Sequence, residues 1–181
     1  MTTRDRLLQR CFAYFLRHGV ANLSLRPLAA AVGTSARMLL HYFGSKEALI
    51  AAVMEQVQAQ LQGSFRELSD SKRGGRAKDL IVEFWRVLSA KTNQPSLRLL
   101  FEVQMLALQN PHRYRRYLGK TSRTWRRLIE RALPKRKRNV LAATLYNAVV
   151  DGLLLELLSS GDLRRTSRAL TLFSEKCASM I

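Results

Sequence analysis

The chain has 181 residues, 47% of them apolar and 8% aromatic, enough to bury a sizeable core in one or two domains, which argues against a disordered chain. Lys and Arg number 31 against 13 Asp and Glu, and the net charge of +18 suits a polyanionic partner without identifying one. The two cysteines, Cys11 and Cys177, belong to no Cys/His cluster, so no zinc site is expected and the chain reads as reduced and cytoplasmic.

The first helix is predicted from Thr3 to His18, because Leu7, Leu8, Cys11, Phe12 and Phe15 recur at three- and four-residue spacing. Cys11 falls on that stripe and reads as a small core residue. The Arg-rich start superficially suggests a transit peptide, but it runs straight into capped helical sequence and reads as a domain helix. Gly19 is a plausible stop. A second helix is predicted from Ser24, its N-cap, with Leu23 and Leu28 as a hydrophobic staple. Pro27 is tolerable in its first turn, where its missing N–H has no intrahelical acceptor. Gly33 ends that helix. Thr34 or Ser35 caps a third, which runs to about Phe43 with Leu39 and Phe43 facing inward. Gly44 closes it, and Ser45 caps a fourth helix running to about Gln62.

Residues 63–78 read as a loop, with Gly74, Gly75 and the basic residues Lys72, Arg73, Arg76 and Lys78. Five further helices are expected: Ala77 to Ala90, Ser96 to Leu108, Pro111 to Leu133, Lys135 to Ser159 and Leu163 to Met180. Pro95, Pro111 and Pro134 stand where helices begin. No strand is predicted. The segment Val140 to Leu158 is apolar but carries Asp151 and Glu156, so it reads as a helix buried on two sides and no membrane span is expected.

The fold class expected is therefore all-α, with an N-terminal three-helix helix-turn-helix head over residues 1–62 and a helical body over 63–181. The short, Gly-containing link between the second and third helices is helix-turn-helix grammar. In that motif the first helix braces the second, which puts side chains against base edges in the major groove. Leu28, Val32, Leu39 and Phe43 would lock the pair, with Ala29 and Ala30 allowing close approach. The other face of the third helix carries Ser35, Ala36, Arg37, Leu40 and His41.

The run from Ser24 to Leu49 resembles the DNA-binding signature of the TetR family. Ser24, Ala29, Gly33, Ser35, Leu39, His41, Tyr42, Phe43, Ser45, Lys46, Glu47 and Leu49 stand in its spaced positions. The likeness covers about the first 55 residues. Two positions depart from it: Arg37 stands where the family usually has Gly, and Leu40 where it usually has Tyr. The resemblance implies that Ser24, Tyr42 and Lys46 contact phosphate and that Arg26 reaches the DNA backbone. Ser35, Ala36, Arg37 and His41 would meet base edges, with Leu40 on the same face. Singly, Lys46 also reads as a solvated helix-start lysine, Tyr42 as a packing tyrosine and Arg37 as a surface arginine.

The resemblance further implies DNA binding by residues 1–62, ligand binding and dimerisation by 63–181, and a homodimer, formed by the last two helices of each copy, that binds a palindromic double-stranded operator. It implies a repressor released by a small-molecule effector, anionic or apolar in character. Side chains that could line the effector site are Trp85, Phe101, Glu102, Met105, Tyr114, Trp125, Tyr146 and Asn147, although aromatic and Met residues at helical spacing are more often plain core. His112 and Asp151 could supply charge. Cys177 could lie near the dimer seam.

The charge is unevenly spread. Residues 1–62 hold 7 basic and 3 acidic residues, whereas Arg113 to Arg138 holds 12 basic residues and one acid, Glu130. That stretch is amphipathic with a basic outer face, which reads as solvated or as a surface for an anionic ligand, DNA backbone or membrane. No nucleophile elbow, paired catalytic carboxylates, P-loop, metal set or cofactor motif appears, so an enzyme is not expected. A basic helical protein coating nucleic acid or anionic membranes without sequence preference is the competing reading.

Overall fold

A computed structural model describes residues 2–71, 77–133 and 139–180, which form helices and short connections with no strand among them. The helices are α1 (Thr3–His18), α2 (Leu25–Ala31), α3 (Ala36–Phe43), α4 (Lys46–Ser71), α5 (Ala77–Ser89), α6 (Gln94–Gln109), α7 (Pro111–Ala132), α8 (Val140–Ser160) and α9 (Leu163–Met180), with a 3-10 turn at Lys91–Asn93. The all-α expectation holds. The loop predicted at 63–78 is corrected over its first part: α4 continues to Ser71, because the apolar period carries on through the buried Phe65 and outweighs Gly63. Gly74, Gly75, Lys72, Arg73, Arg76 and Pro134 to Arg138, together with the side chains of Lys78 and Cys177, lie outside the described residues.

By packing, the chain divides into two compact units, residues 1–59 with 98–121 and residues 60–97 with 122–181. In the first, α1 begins with a capping box in which Thr2 and Asp5 each bond the other's backbone N–H. Leu7, Cys11 and Phe15 then bury one stripe of α1. Burying a Leu or Phe side chain contributes about 1.5–3 kcal/mol. Burial also pushes the Cys11 thiol up to about 11, so it behaves as an inert core group. Two ion pairs hold α7 alongside α4: Arg113 Nη1 to Glu47 Oε1 at 2.7 Å and Lys120 Nζ to Glu55 Oε2 at 2.6 Å. Tyr114 and Tyr117 are buried on the same helix, and burial pushes the Tyr114 phenol up to about 12.

In the second unit α5, α8 and α9 pack on one another. Phe65, Phe84 and Trp125 form an aromatic cluster with ring centroids 4.9–6.1 Å apart, Phe65 edge-on to both partners and Phe84 tilted against Trp125. Asn139 caps α8 through the Ala142 N–H, and Gly161 ends it in a left-handed conformation. Ala142, Ala143, Tyr146, Leu154 and Leu157 are buried, but Leu141 is 80% exposed, Leu145 45% and Leu155 53%. The two-sided burial expected of this helix is therefore met on one side within a single copy. By length and composition α8 could cross a bilayer, yet one flank is already committed to protein packing.

Candidate nucleic-acid interface

The helix-turn-helix is built from apolar residues that leave one polar face outward. Leu28, Ala29, Val32, Leu39 and Phe43 are all buried and lock α2 to α3. The turn closes through Thr34 N–H donating to Ala29 O at 2.9 Å, with Gly33 at φ +74°, a backbone state that other residues rarely adopt. Arg10, on α1, donates to the Val32 carbonyl at 3.1 Å and so takes up an acceptor at the end of α2. Nothing in the linear pattern marks Arg10, because its acceptor lies 22 residues away.

Leu39 and Phe43 point inward, and the rest of α3 is presented. Arg37, Met38, Leu40 and His41 are exposed and Ala36 is half-buried. Met38 joins this face although it stands outside the set read from sequence. Ser35 is the N-cap: its side-chain oxygen accepts from Met38 N–H at 3.2 Å, leaving its O–H proton for an outside acceptor. Ser24 occupies the N-cap position of α2 but makes no side-chain cap bond, so its exposed hydroxyl faces solvent. Arg26 is exposed, and Tyr42 is half-buried with its ring edge-on to His41 at 5.3 Å.

Lys46 lies where Ser24 lies. Its ammonium donates to the Leu23 carbonyl at 3.4 Å, bringing a cation beside the start of α2 and leaving two N–H donors. A hydroxyl and an ammonium thus converge on one edge, an arrangement able to hold a phosphate oxygen.

Glu102, on α6, holds the connection before α2. Its Oε1 accepts from the consecutive N–H groups of Val20 and Ala21 at 2.8 and 2.7 Å. Gly19 permits the approach: a Cβ there would lie 2.9 Å from both carboxylate oxygens. Of the other residues expected to line an effector site, Phe101, Met105 and Tyr114 also fall in the first unit, and Met105 is exposed. Trp85, Trp125, Tyr146 and Asn147 fall in the second. There Trp85 Nε1 donates to Ser167 at 2.8 Å, Tyr146 packs edge-on against Phe173, and Asn147 donates to Asp151 at 2.8 Å. Although Asp151 keeps an exposed edge, surrounding protein pushes its carboxyl up to about 6, against the pull of the Asn147 bond. A cleft of about 160 Å³ opens beside Tyr14, His18, Asn22 and Ser24, too small for a drug-sized ligand.

Residues 7–53 match the bacterial regulatory proteins of the tetR family, a span that takes in the whole helix-turn-helix and the start of α4. Residues 7–53 thus carry a DNA-binding segment of the tetR-family type. The chain shares its fold along almost its full length with solved structures. A transcriptional regulator from Rhodococcus sp. Rha1 superposes with a TM-score of 0.81 at 21% identity, covering 97% of this chain and 95% of that one. A TetR transcription regulator from Haloarcula marismortui gives 0.76 at 12% identity, with 98% and 97% covered. The multidrug binding protein EbrR, complexed with imidazole, gives 0.70 at 23% identity, with 93% and 87% covered. No curated protein matches the chain. Past residue 53 the likeness is one of fold.

Proposed function

We propose that the chain is a TetR-family regulator, a cytoplasmic homodimeric repressor that reads a palindromic operator through α3 and leaves it when a small molecule binds. DNA binding belongs to residues 1–62, and effector binding and dimerisation to 63–181. The observation that carries the reading is the outward face of α3, where Arg37, Met38, Leu40 and His41 stand exposed on a helix anchored by buried Leu39 and Phe43. Ser35, Ala36, Arg37 and His41 read base edges, and Leu40 offers apolar surface to a thymine methyl. Ser24, Arg26, Tyr42 and Lys46 hold the backbone. The exposed leucines of α8 and α9 support pairing of two copies. EbrR, a protein of the same fold, is multidrug-binding, which supports a small-molecule effector; the site proposed for it, for a ligand of apolar or anionic character, includes Trp85, Trp125, Tyr146 and Asn147.

Selection of duplexes from a random library tests base reading directly. The wild type is expected to recover one palindromic sequence with a guanine in each half-site, read by the guanidinium fork of Arg37. Arg37→Ala is expected to cost about 1–3 kcal/mol and to flatten preference at that base pair alone. A preference profile of unchanged shape would move Arg37 to the backbone. Lys46→Ala is expected to weaken all duplexes alike and to lower the slope of log affinity against log salt by about one unit. A change in the preferred bases would remove its phosphate role.

A further inference from the structure

We propose that the first two turns of α7, through Arg115 and Arg116 with His112 beside them, form a second DNA-backbone contact that grips phosphates flanking the operator half-site. Most of the net charge lies outside the helix-turn-helix, and the ion pairs of α7 show how part of it is used. Arg113 meets Glu47 and Lys120 meets Glu55. Seven residues along α7 thus match eight along α4, about 10 and 12 Å, so the two helices run side by side in the same direction. The first turn of α7 is therefore level with Ser45 and Lys46. That end of α4 is the one whose lysine reaches the start of α2, 3.4 Å from the Leu23 carbonyl. The beginning of α7 thus lies at the same end of α4 as Ser24 and Lys46.

The charges on this edge leave a cationic surplus. The first unit holds 12 Lys and Arg against 4 acids. Each of the four is engaged: Asp5 in the capping box, Glu47 and Glu55 by α7, Glu102 by two backbone N–H groups. Arg116 falls between Arg113 and Lys120 on the same flank at three- and four-residue spacing, and no acidic partner for it occurs among the described residues. Arg115 and His112 are exposed beside it. With Tyr114 and Tyr117 buried, α7 is anchored, so its exposed arginines are carried on a rigid element rather than on a loop. A surplus of cations at the end of α4 that carries Lys46 is matched by phosphate, which is sequence-independent and present on both sides of any operator.

The test compares wild type with Arg115→Ala/Arg116→Ala on the duplex selected above, with eight flanking base pairs and trimmed to its outer base pair. On the flanked duplex the double variant is expected to bind about fivefold to tenfold more weakly, with a salt slope lowered by about one to two units. On the trimmed duplex the two proteins are expected to bind alike, and Lys at both positions is expected to restore the slope. Equal slopes on the flanked duplex overturn the proposal, as does an equal loss on both duplexes, which would place the arginines' effect in the fold of the head. If selection recovers no preferred sequence, base reading by α3 is what fails. The slope comparison on a 40-base-pair duplex of arbitrary sequence then decides the α7 contact by the same criterion.

Discussion

Replacing Leu145 and Leu155 with glutamate is expected to turn the protein into a folded monomer that no longer holds its operator. Both side chains are about half exposed in a single copy, so each tolerates a polar substitution in an isolated chain. With Leu141 they line one flank of α8, and Leu172 of α9 is 58% exposed. A flank of this composition on a helix capped at both ends is a surface awaiting a partner. If a second copy covers it, each leucine contributes about 1.5–3 kcal/mol on burial, counted twice by symmetry. Four buried glutamates in their place weaken pairing by far more than a thousandfold, since each 1.4 kcal/mol is a factor of ten. Operator affinity is then expected to fall at least about a hundredfold, because each copy is left with one half-site. Sedimentation at micromolar concentration reads the first effect and gel retardation the second. A variant that still sediments as a dimer would place the interface elsewhere. Leu154 and Leu157 are unsuitable for this test, because they are buried within one copy and their loss would unfold it.

Glu102→Ala is expected to loosen the DNA-binding head without altering which bases it prefers. The substitution strands two adjacent N–H groups, of Val20 and Ala21, that share one carboxylate oxygen. Hydrogen bonds to a charged acceptor contribute about 1.5–3 kcal/mol each, although water reaches the exposed Ala21 end. A net loss of about 2–4 kcal/mol is expected, lowering the melting temperature by roughly 5–15 °C. Glu102→Gln keeps a carbonyl oxygen in place and is expected to cost about 1 kcal/mol or less. Gly19→Ala gives a second approach to the same contact. At φ +67° and ψ −168° the backbone is in a region that is essentially glycine's own, and the new Cβ would press on the carboxylate at 2.9 Å. It is expected to destabilise at least as much as Glu102→Ala. Thermal melts followed by circular dichroism check all three. An alanine variant that melts with wild type would show that the connection before α2 is held by other contacts.

The helix-turn-helix was legible in the linear sequence because its determinants are local. Caps, turn glycines and three- and four-residue apolar spacing act within one or two helical turns, so Ser35, Gly33, Leu39 and Phe43 announce themselves. The presented face of α3 follows by subtraction. Where local signals compete, as at Gly63, periodicity won over a helix-weakening residue and α4 ran nine residues past the expected end. The tertiary structure alone decided what depends on pairs distant in the chain. Glu102 read from sequence as a polar handle for a ligand, and only folding places its carboxylate against Val20 and Ala21, about 80 residues away. The bonds of Arg10 to Val32, Arg113 to Glu47 and Lys120 to Glu55 are of the same kind. So is the difference between the two flanks of α8: a helix apolar all round carries no mark of which side its own chain covers. Composition sets how much surface must leave water, but which surfaces meet is decided by packing between elements that the local period cannot encode.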